Sequence, residues 1–405
     1  MLTRVGVPVK SDTGLSGQDP QRTTLLCFSH LRWNFVFQRP QHLMSRFAQE
    51  MDVIYWEEPV DIDAKETAFL QVREAENAKG VRIVVPHLPH GMPEDAREAA
   101  LSRLLDAHLA SVRGTLVAWY YTPMMLPFSR HVTPDLTVFD AMDELSKFKF
   151  APEHLLTLEQ ELLDRSDIVF TGGSSLYEAK KDRHHNVHCF PSSVDRAHFA
   201  KARARQFDPA DQEDLPRPRL GFYGVIDERF DIDLLDKVAQ MRPNWSFVMV
   251  GPGVKISEEH LPRRPNIHYL GGKTYDQLPT YLSGWDVALM PFAMNESTQF
   301  ISPTKTPEYL AGGRPVVSTP IKDVVRHYGQ LEGVLIASTP EEFVAACDKA
   351  LELSRDPEGG WLAEADLMLS ATSWDTTQAR MAGLIHDLLG IRTGATGPAL
   401  LVAAE

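Results

Sequence analysis

Two successive series of short apolar runs, alternating with amphipathic stretches of helical length, constrain this chain more than any other feature. Residues 25–28, 53–56, 81–85, 116–119, 136–139 and 168–171 form the first series, with helical stretches at 40–50, 94–112 and 152–165 among them. Alternation of this kind predicts strands that pair in parallel through helical crossovers. A run at 187–190 closes the series, and residues 191–217 then hold Asp, Gln, Pro and Arg with little apolar content, which reads as an interdomain linker. The alternation restarts at 220–223, 247–250, 267–270, 287–290, 316–318 and 334–337, with helical stretches at 232–241, 275–283 and 303–311. The expected fold class is α/β, with two Rossmann-like doubly wound domains facing across a cleft where ligands meet the carboxyl ends of the strands. The boundaries are read as a flexible leader at 1–22, a first domain at 23–200, a linker at 201–218 and a second domain at 219–375. Helical patterns at 340–353, 361–370 and 376–389 precede a Gly/Thr/Ala-rich tail at 391–405.

Length agrees with two domains, since 405 residues exceed the roughly 250 to 300 at which single cores stop growing. With 41 Lys+Arg against 55 Asp+Glu the net charge is -14, and so acidic a chain lacks the basic footprint of a nucleic-acid binder. No apolar run of about 18 residues occurs and the start lacks the apolar core of a signal peptide, so the cytoplasm is the expected location. Cys27, Cys189 and Cys347 lie far apart in apolar surroundings, which fits free thiols rather than disulfides or a metal site.

The segment from Asn295 to Thr319 carries the sharpest chemistry. It leaves an apolar run ending at Pro291, crosses a polar loop and enters a helix expected to start at Pro303 with Ser302 as N-cap. Exposed N–H groups there, with Thr304 beside them and the charge of Lys305 one turn in, suit phosphate oxygens. Glu308 lies three residues on, on the same helical side, placed to accept hydrogen bonds from ribose hydroxyls. The plainer alternative is a surface Lys/Glu pair beside a cap. Val250 to Gly253 ends another run and lets backbone approach a nucleotide at Gly251, yet Ile256 stands where a dinucleotide fingerprint needs its third glycine.

Residues 295–319 resemble the donor-binding region of GT-B glycosyltransferases, particularly the family 4 type and relatives that build bacterial surface polysaccharides. The matching positions are Glu308, Ala311, Gly313, Pro315, Val316 and Val317. Where that family spaces two glutamates with seven residues between them, this chain has Phe300 eight before Glu308, and its nearest acid is Glu296, a candidate sugar contact. The resemblance extends loosely over most of the chain through Asp164 to Thr171, Phe190 to Asp195 and Leu220 to Gly224. It implies a diphosphate contact from Arg229 beyond Gly224 and a base-cupping loop in which Tyr275 stacks, unless Tyr275 only starts a packed helix. It also implies a helix after Trp374-Asp375 (376–390) that returns to the first domain.

In the first domain, the aromatic and cationic loop from Phe28 to Leu43 resembles the first-loop signature of surface-polysaccharide glycosyltransferases. Ser29, Trp33, Arg39 and His42 are its candidates for sugar or acceptor contacts, His42 also for catalysis. Asp140 and Asp143 sit at the end of an expected strand, where an inverting transferase needs a carboxylate to take the acceptor proton, and Asp143 is preferred because Asp140 can cap the following turn. The cluster Lys180 to His185 and the pair Lys147 and Lys149 beside Phe148 and Phe150 suit either anionic lipid of the inner leaflet or a solvated helix face.

The resemblance therefore implies a metal-independent transfer from a nucleoside-diphosphate sugar, UDP-sugar first, to a hydroxyl of a glycan or lipid-linked acceptor. No cofactor is implied and the nucleotide-sugar is a co-substrate. Peripheral contact with the inner membrane is compatible with it; nucleic acid is not a partner. The alternatives are a nucleotide-sugar epimerase of the same fold and a non-catalytic glycan-binding relative.

Overall fold

The computed structural model describes residues 9–11, 22–204, 207–254, 256–356 and 359–393. The first domain runs through β1 (Val9–Ser11), β2 (Thr24–Phe28), α1 (Arg39–Phe47), β3 (Asp52–Trp56), β4 (Val60–Ile62), β5 (Phe69–Ala75) and β6 (Ala78–Pro89). It continues with α2 (Glu94–Leu109), β7 (Leu116–Tyr120), α3 (Leu126–Ser129), β8 (Leu136–Ala141), α4 (Leu155–Arg165), β9 (Ile168–Thr171), α5 (Ser174–Lys180) and β10 (Val187–Cys189). These strands form one sheet in the order β1-β5-β6-β3-β2-β7-β8-β9-β10, with β4 paired to β6. Its centre is parallel, and every residue of β2 is buried because helices cover both faces. The β5/β6 pair is antiparallel, a hairpin that the expected all-parallel sheet omits because β5 mixes charge into its apolar pattern. Val9–Ser11 pair with β5, so the expected leader contributes an edge strand; its other residues up to 21 lie outside the described residues.

The second domain contains α6 (Arg196–Ala200), β11 (Arg219–Tyr223), α7 (Ile232–Met241), β12 (Ser246–Val250), β13 (Ile267–Tyr269), α8 (Leu278–Ser283) and β14 (Val287–Met290). There follow α9 (Lys305–Ala311), β15 (Val316–Ser318), α10 (Lys322–Tyr328), β16 (Val334–Ile336), α11 (Pro340–Arg355) and α12 (Trp361–Leu369). Its parallel sheet has the order β13-β12-β11-β14-β15-β16, reversing direction of growth at β11 and β14. Such a switch point opens a crevice at the carboxyl ends of the strands.

The linker reading is corrected by packing. Val194, Phe199 and Ala202 are buried in the core of the second domain, and Gln212 accepts a 2.9 Å bond from the Trp285 indole. Residues 194–204 and 207–217 therefore pack on the second domain, held through a few apolar anchors in a polar sequence. The last helix, α13 (Trp374–Thr393), returns to the first domain and buries Trp374, Met381 and Ile385 in its core, as the crossover resemblance implies. Each such fully buried large side chain contributes on the order of 1.5–3 kcal/mol. The tail from 394 lies outside the described residues. All three cysteines are free, Cys27 and Cys347 fully buried. Among the described residues no helix is long and apolar enough to cross a membrane.

Candidate active site

The two domains enclose a pocket at the carboxyl ends of their strands, with Asp143 and Ser192 on the first-domain wall and Arg229, Ser302, Thr304 and Lys305 on the other. Each is placed by a strand end. Asp143 follows β8, Arg229 follows β11, and the loop after β14 delivers Ser302 to Lys305.

Lys305 enters the pocket past Gly224, which has φ +142 and passes so close that an added Cβ would lie 2.3 Å from Lys305 Cε. Its Nζ sits 5.7 Å from the ring centroids of both Phe222 and Phe292, so the ammonium is flanked by two aromatic faces at the pocket wall. Gly251, at φ +145, brings the end of β12 against the Gly224 carbonyl, leaving no room for a side chain at either position. Arg229 is fixed by Asp227, with Nε donating at 3.0 and 3.1 Å to its two oxygens and Nη2 at 2.6 Å. It is thus both salt-bridged and pocket-lining.

Glu308, buried one turn beyond Lys305, accepts a 2.9 Å hydrogen bond from Tyr223 Oη. Burial lowers the Lys305 pKa and raises that of Glu308, while each charge partly offsets the other's shift. Glu308 stands behind the pocket wall rather than in its lining. The helix begins at Lys305 instead of Pro303, with Thr304 at the cap, because the Ser302 carbonyl accepts a 2.5 Å bond from Ser192 Oγ of the other domain.

Asp143 faces this cationic wall. Burial pushes its carboxyl from 3.8 up to about 6, opposed by Arg229, Arg39 and Lys305 and reinforced by Asp227. A carboxylate poised there can accept a proton near neutral pH.

Residues 217–353 match the family described as Glycosyl transferases group 1. A putative teichuronic acid biosynthesis glycosyltransferase of Bacillus subtilis is 26% identical over 281 residues, 63% of this chain and 69% of the relative. This chain is a glycosyltransferase of the GT-B fold. Among solved structures, sucrose-phosphate synthase of Thermosynechococcus elongatus superposes with a TM-score of 0.65 at 17% identity over 91% of this chain and 100% of that one. Anabaena HepE, in complex with UDP and glucose, gives 0.62 at 13% identity over 89% of this chain and 99% of that one.

The glycosyltransferase places several expected contacts elsewhere. Asp140 is no free base, because Arg39 donates to both its oxygens and the pair is buried, 3% and 0% exposed. Arg39 borders the pocket with its guanidinium nitrogens bonded to Asp140 and to the Phe190 carbonyl. Ser29 is buried and accepts a 2.7 Å bond from Tyr55 Oη, while Trp33 lies in the core with its indole donating to Asn77 at 2.8 Å. His42 is buried and stacks on Trp374 with centroids 4.6 Å apart, burial lowers its pKa, and it stands in an aromatic junction outside the pocket lining. Tyr275 belongs to the same junction, stacked on His198 at 4.3 Å and packed against Phe37 at 4.7 Å, which leaves no open face for a base. Glu296 is exposed on the rim, 3.6 Å from Lys147 of the first domain.

The basic cluster is also consumed internally. Lys180 is wholly buried between Glu144 and Glu159 at 2.9 Å each, and Arg183 binds Glu159. Phe148 lies under the Arg229 guanidinium, so Lys149 and the 86% exposed Phe150 are what remains of that surface. Sequence reasoning missed Ser192, Asp227 and an interdomain contact in which Asp323 accepts from Ser175 N at 2.9 Å. The glycines at 172–173 after β9 were the available signal, since a small-residue strand exit invites close approach.

Proposed function

We propose that this glycosyltransferase transfers a sugar from a UDP-sugar to a hydroxyl of a glycan or lipid-linked acceptor in surface polysaccharide synthesis. The observation that carries the reading is the opposition, across one pocket, of Asp143 to the cations Lys305 and Arg229. The named activity of the Bacillus subtilis relative and the UDP bound by HepE support the acceptor class and the nucleotide.

In this reading Asp143 takes the proton of the acceptor hydroxyl as its oxygen bonds to the anomeric carbon. The bond from that carbon to the diphosphate breaks, and Lys305 and Arg229 neutralise the charge gathering on the leaving oxygen. Glu308 and Tyr223 hold the ribose side of the site through the turn that carries Lys305. No metal or cofactor takes part. The enzyme works in the cytoplasm, and peripheral contact with the inner membrane is made by the loop carrying Lys149 and Phe150.

A thermal-shift screen of UDP-, GDP- and other nucleotide-sugars tests the donor, since ligand at about 100 times its Kd stabilises by roughly 2.7 kcal/mol. Acceptor-dependent UDP release then separates transfer from epimerisation. Stabilisation by no nucleotide-sugar would sink the reading.

A further inference from the structure

Arg39 opens α1 and is 3% exposed, yet it borders the pocket. Its Nε donates to the Asp140 oxygens at 3.1 and 3.0 Å and its Nη2 to Oδ1 at 2.8 Å, while Nη1 donates to the Phe190 carbonyl at 2.8 Å. Asp140 lies near the end of β8 and Phe190 follows β10, with β9 between them in the sheet. One guanidinium thus ties the carboxyl ends of strands on either side of β9.

Both tied points open into parts of the site. Beyond Asp140, Met142 N donates back to the Asp140 carbonyl at 3.0 Å, and Asp143 follows directly. Beyond Phe190, Ser192 Oγ donates to the Ser302 carbonyl at 2.5 Å, at the base of the loop that delivers Lys305. All three guanidinium nitrogens are engaged with protein, so Arg39 is placed to hold rather than to bind.

We infer that Arg39 is a positioning residue for the transfer: through Asp140 and Phe190 it fixes the loop carrying Asp143 and the chain crossing to the donor-binding domain. The functional weight of this rests on Asp143 being the base. Lys could replace the charge of Arg39 but not its planar fork, which alone matches carboxylate and carbonyl together. The charged groups facing Asp143 are Arg229, Asp227 and Lys305 from the second domain and Arg39 from the first, with Asp140 balancing Arg39.

The test reads the Asp143 carboxyl directly, by 13C NMR of protein labelled at aspartate, its resonance assigned with Asp143→Asn. Asp140→Asn removes a negative charge and leaves Arg39 unopposed, so Asp143 is expected to titrate lower by about half a unit or more. Arg39→Met/Asp140→Asn removes the cation as well and brings the titration back up. Arg39→Lys, which keeps the charge, is expected to leave the titration in place while a crystal structure shows Met142 and Asp143 displaced. Its turnover of the UDP-sugar selected by the thermal-shift screen should fall by about tenfold or more with KM nearly unchanged. A purely architectural Arg39 predicts an unmoved loop and a parent-like kcat in Arg39→Lys, and that result overturns the inference. Should Asp140→Asn not fold, Arg39→Lys decides by its loop and its kcat. If Asp143→Asn turns over that UDP-sugar at the parent's measured rate, the base assignment falls, while the loop position in Arg39→Lys still decides what Arg39 does.

Discussion

Lys305 occupies the space that a side chain at Gly224 would need, since a Cβ there would stand 2.3 Å from Lys305 Cε and 2.9 Å from Nζ. Gly224→Ala is therefore expected to turn the ammonium out of its place between Phe222 and Phe292 while most of the second-domain core stays intact. The left-handed φ adds strain of order 1–3 kcal/mol. Nucleotide affinity should fall at least tenfold with the protein still folded, measured by calorimetry beside far-UV circular dichroism. Parent-like affinity would show that the approach of these two residues has no role in binding.

Asp143 carries opposite consequences for stability and turnover. Its pKa is raised by burial from 3.8 to about 6, so between those values the native state keeps a proton that the unfolded chain has lost. Stability then falls as pH rises through that window, and the full cost of the buried charge is present above it. Asp143→Asn is expected to melt higher than the parent at pH 7.5, by the equivalent of up to about 3 kcal/mol, with the gain gone near pH 3.5. Over the same comparison kcat should drop by about 10² to 10⁴, and parent turnover should decline below pH about 6 as the base is protonated. Equal melting at pH 7.5 with full turnover would remove Asp143 from both roles.

How much of this was legible in the sequence depends on whether local pattern or distant partner decided the outcome. The parallel core strands were legible because each is a continuous apolar run, buried on both faces. The β5/β6 hairpin and the packing of Val194, Phe199 and Ala202 on the second domain were not, because a polar segment with apolar anchors such as Phe199 looks like a linker until its partner surface exists. Lys305, Arg229 and Asp143, singled out at expected strand ends, do line the pocket, since the carboxyl ends of the strands open onto it. Arg39, Asp140, Ser29 and Trp33 carry the right chemistry at the right loop, yet each bonds a residue far off in sequence, and no local signal separates a ligand contact from an internal one. Tyr275 failed for the same reason, its ring being covered by His198 and Phe37.

Transfer is expected to survive EDTA. In each of the two Asp-x-Asp sequences the first aspartate is engaged by protein, Asp61 binding Arg97 at 2.8 Å and Asp231 capping α7 through Leu234 N at 2.8 Å. Lys305 and Arg229 already supply the positive charge that a leaving diphosphate needs. Activity lost to EDTA and restored by Mg²⁺ or Mn²⁺ would contradict this division of labour.

The central claim is that Lys305 recognises and stabilises the diphosphate. Calorimetric titration of UDP and of uridine into the parent and Lys305→Ala tests it most directly, because the two ligands differ only in the phosphates that Lys305 would touch. The account predicts that UDP binds the parent at least about tenfold tighter than uridine does, and that Lys305→Ala erases most of this difference, in line with a charge-assisted contact in a partly desolvated site. Turnover of the identified donor should fall in the same variant by the equivalent of roughly 2–4 kcal/mol. A Lys305→Ala protein that prefers UDP over uridine as strongly as the parent and turns over donor at the parent rate would contradict it.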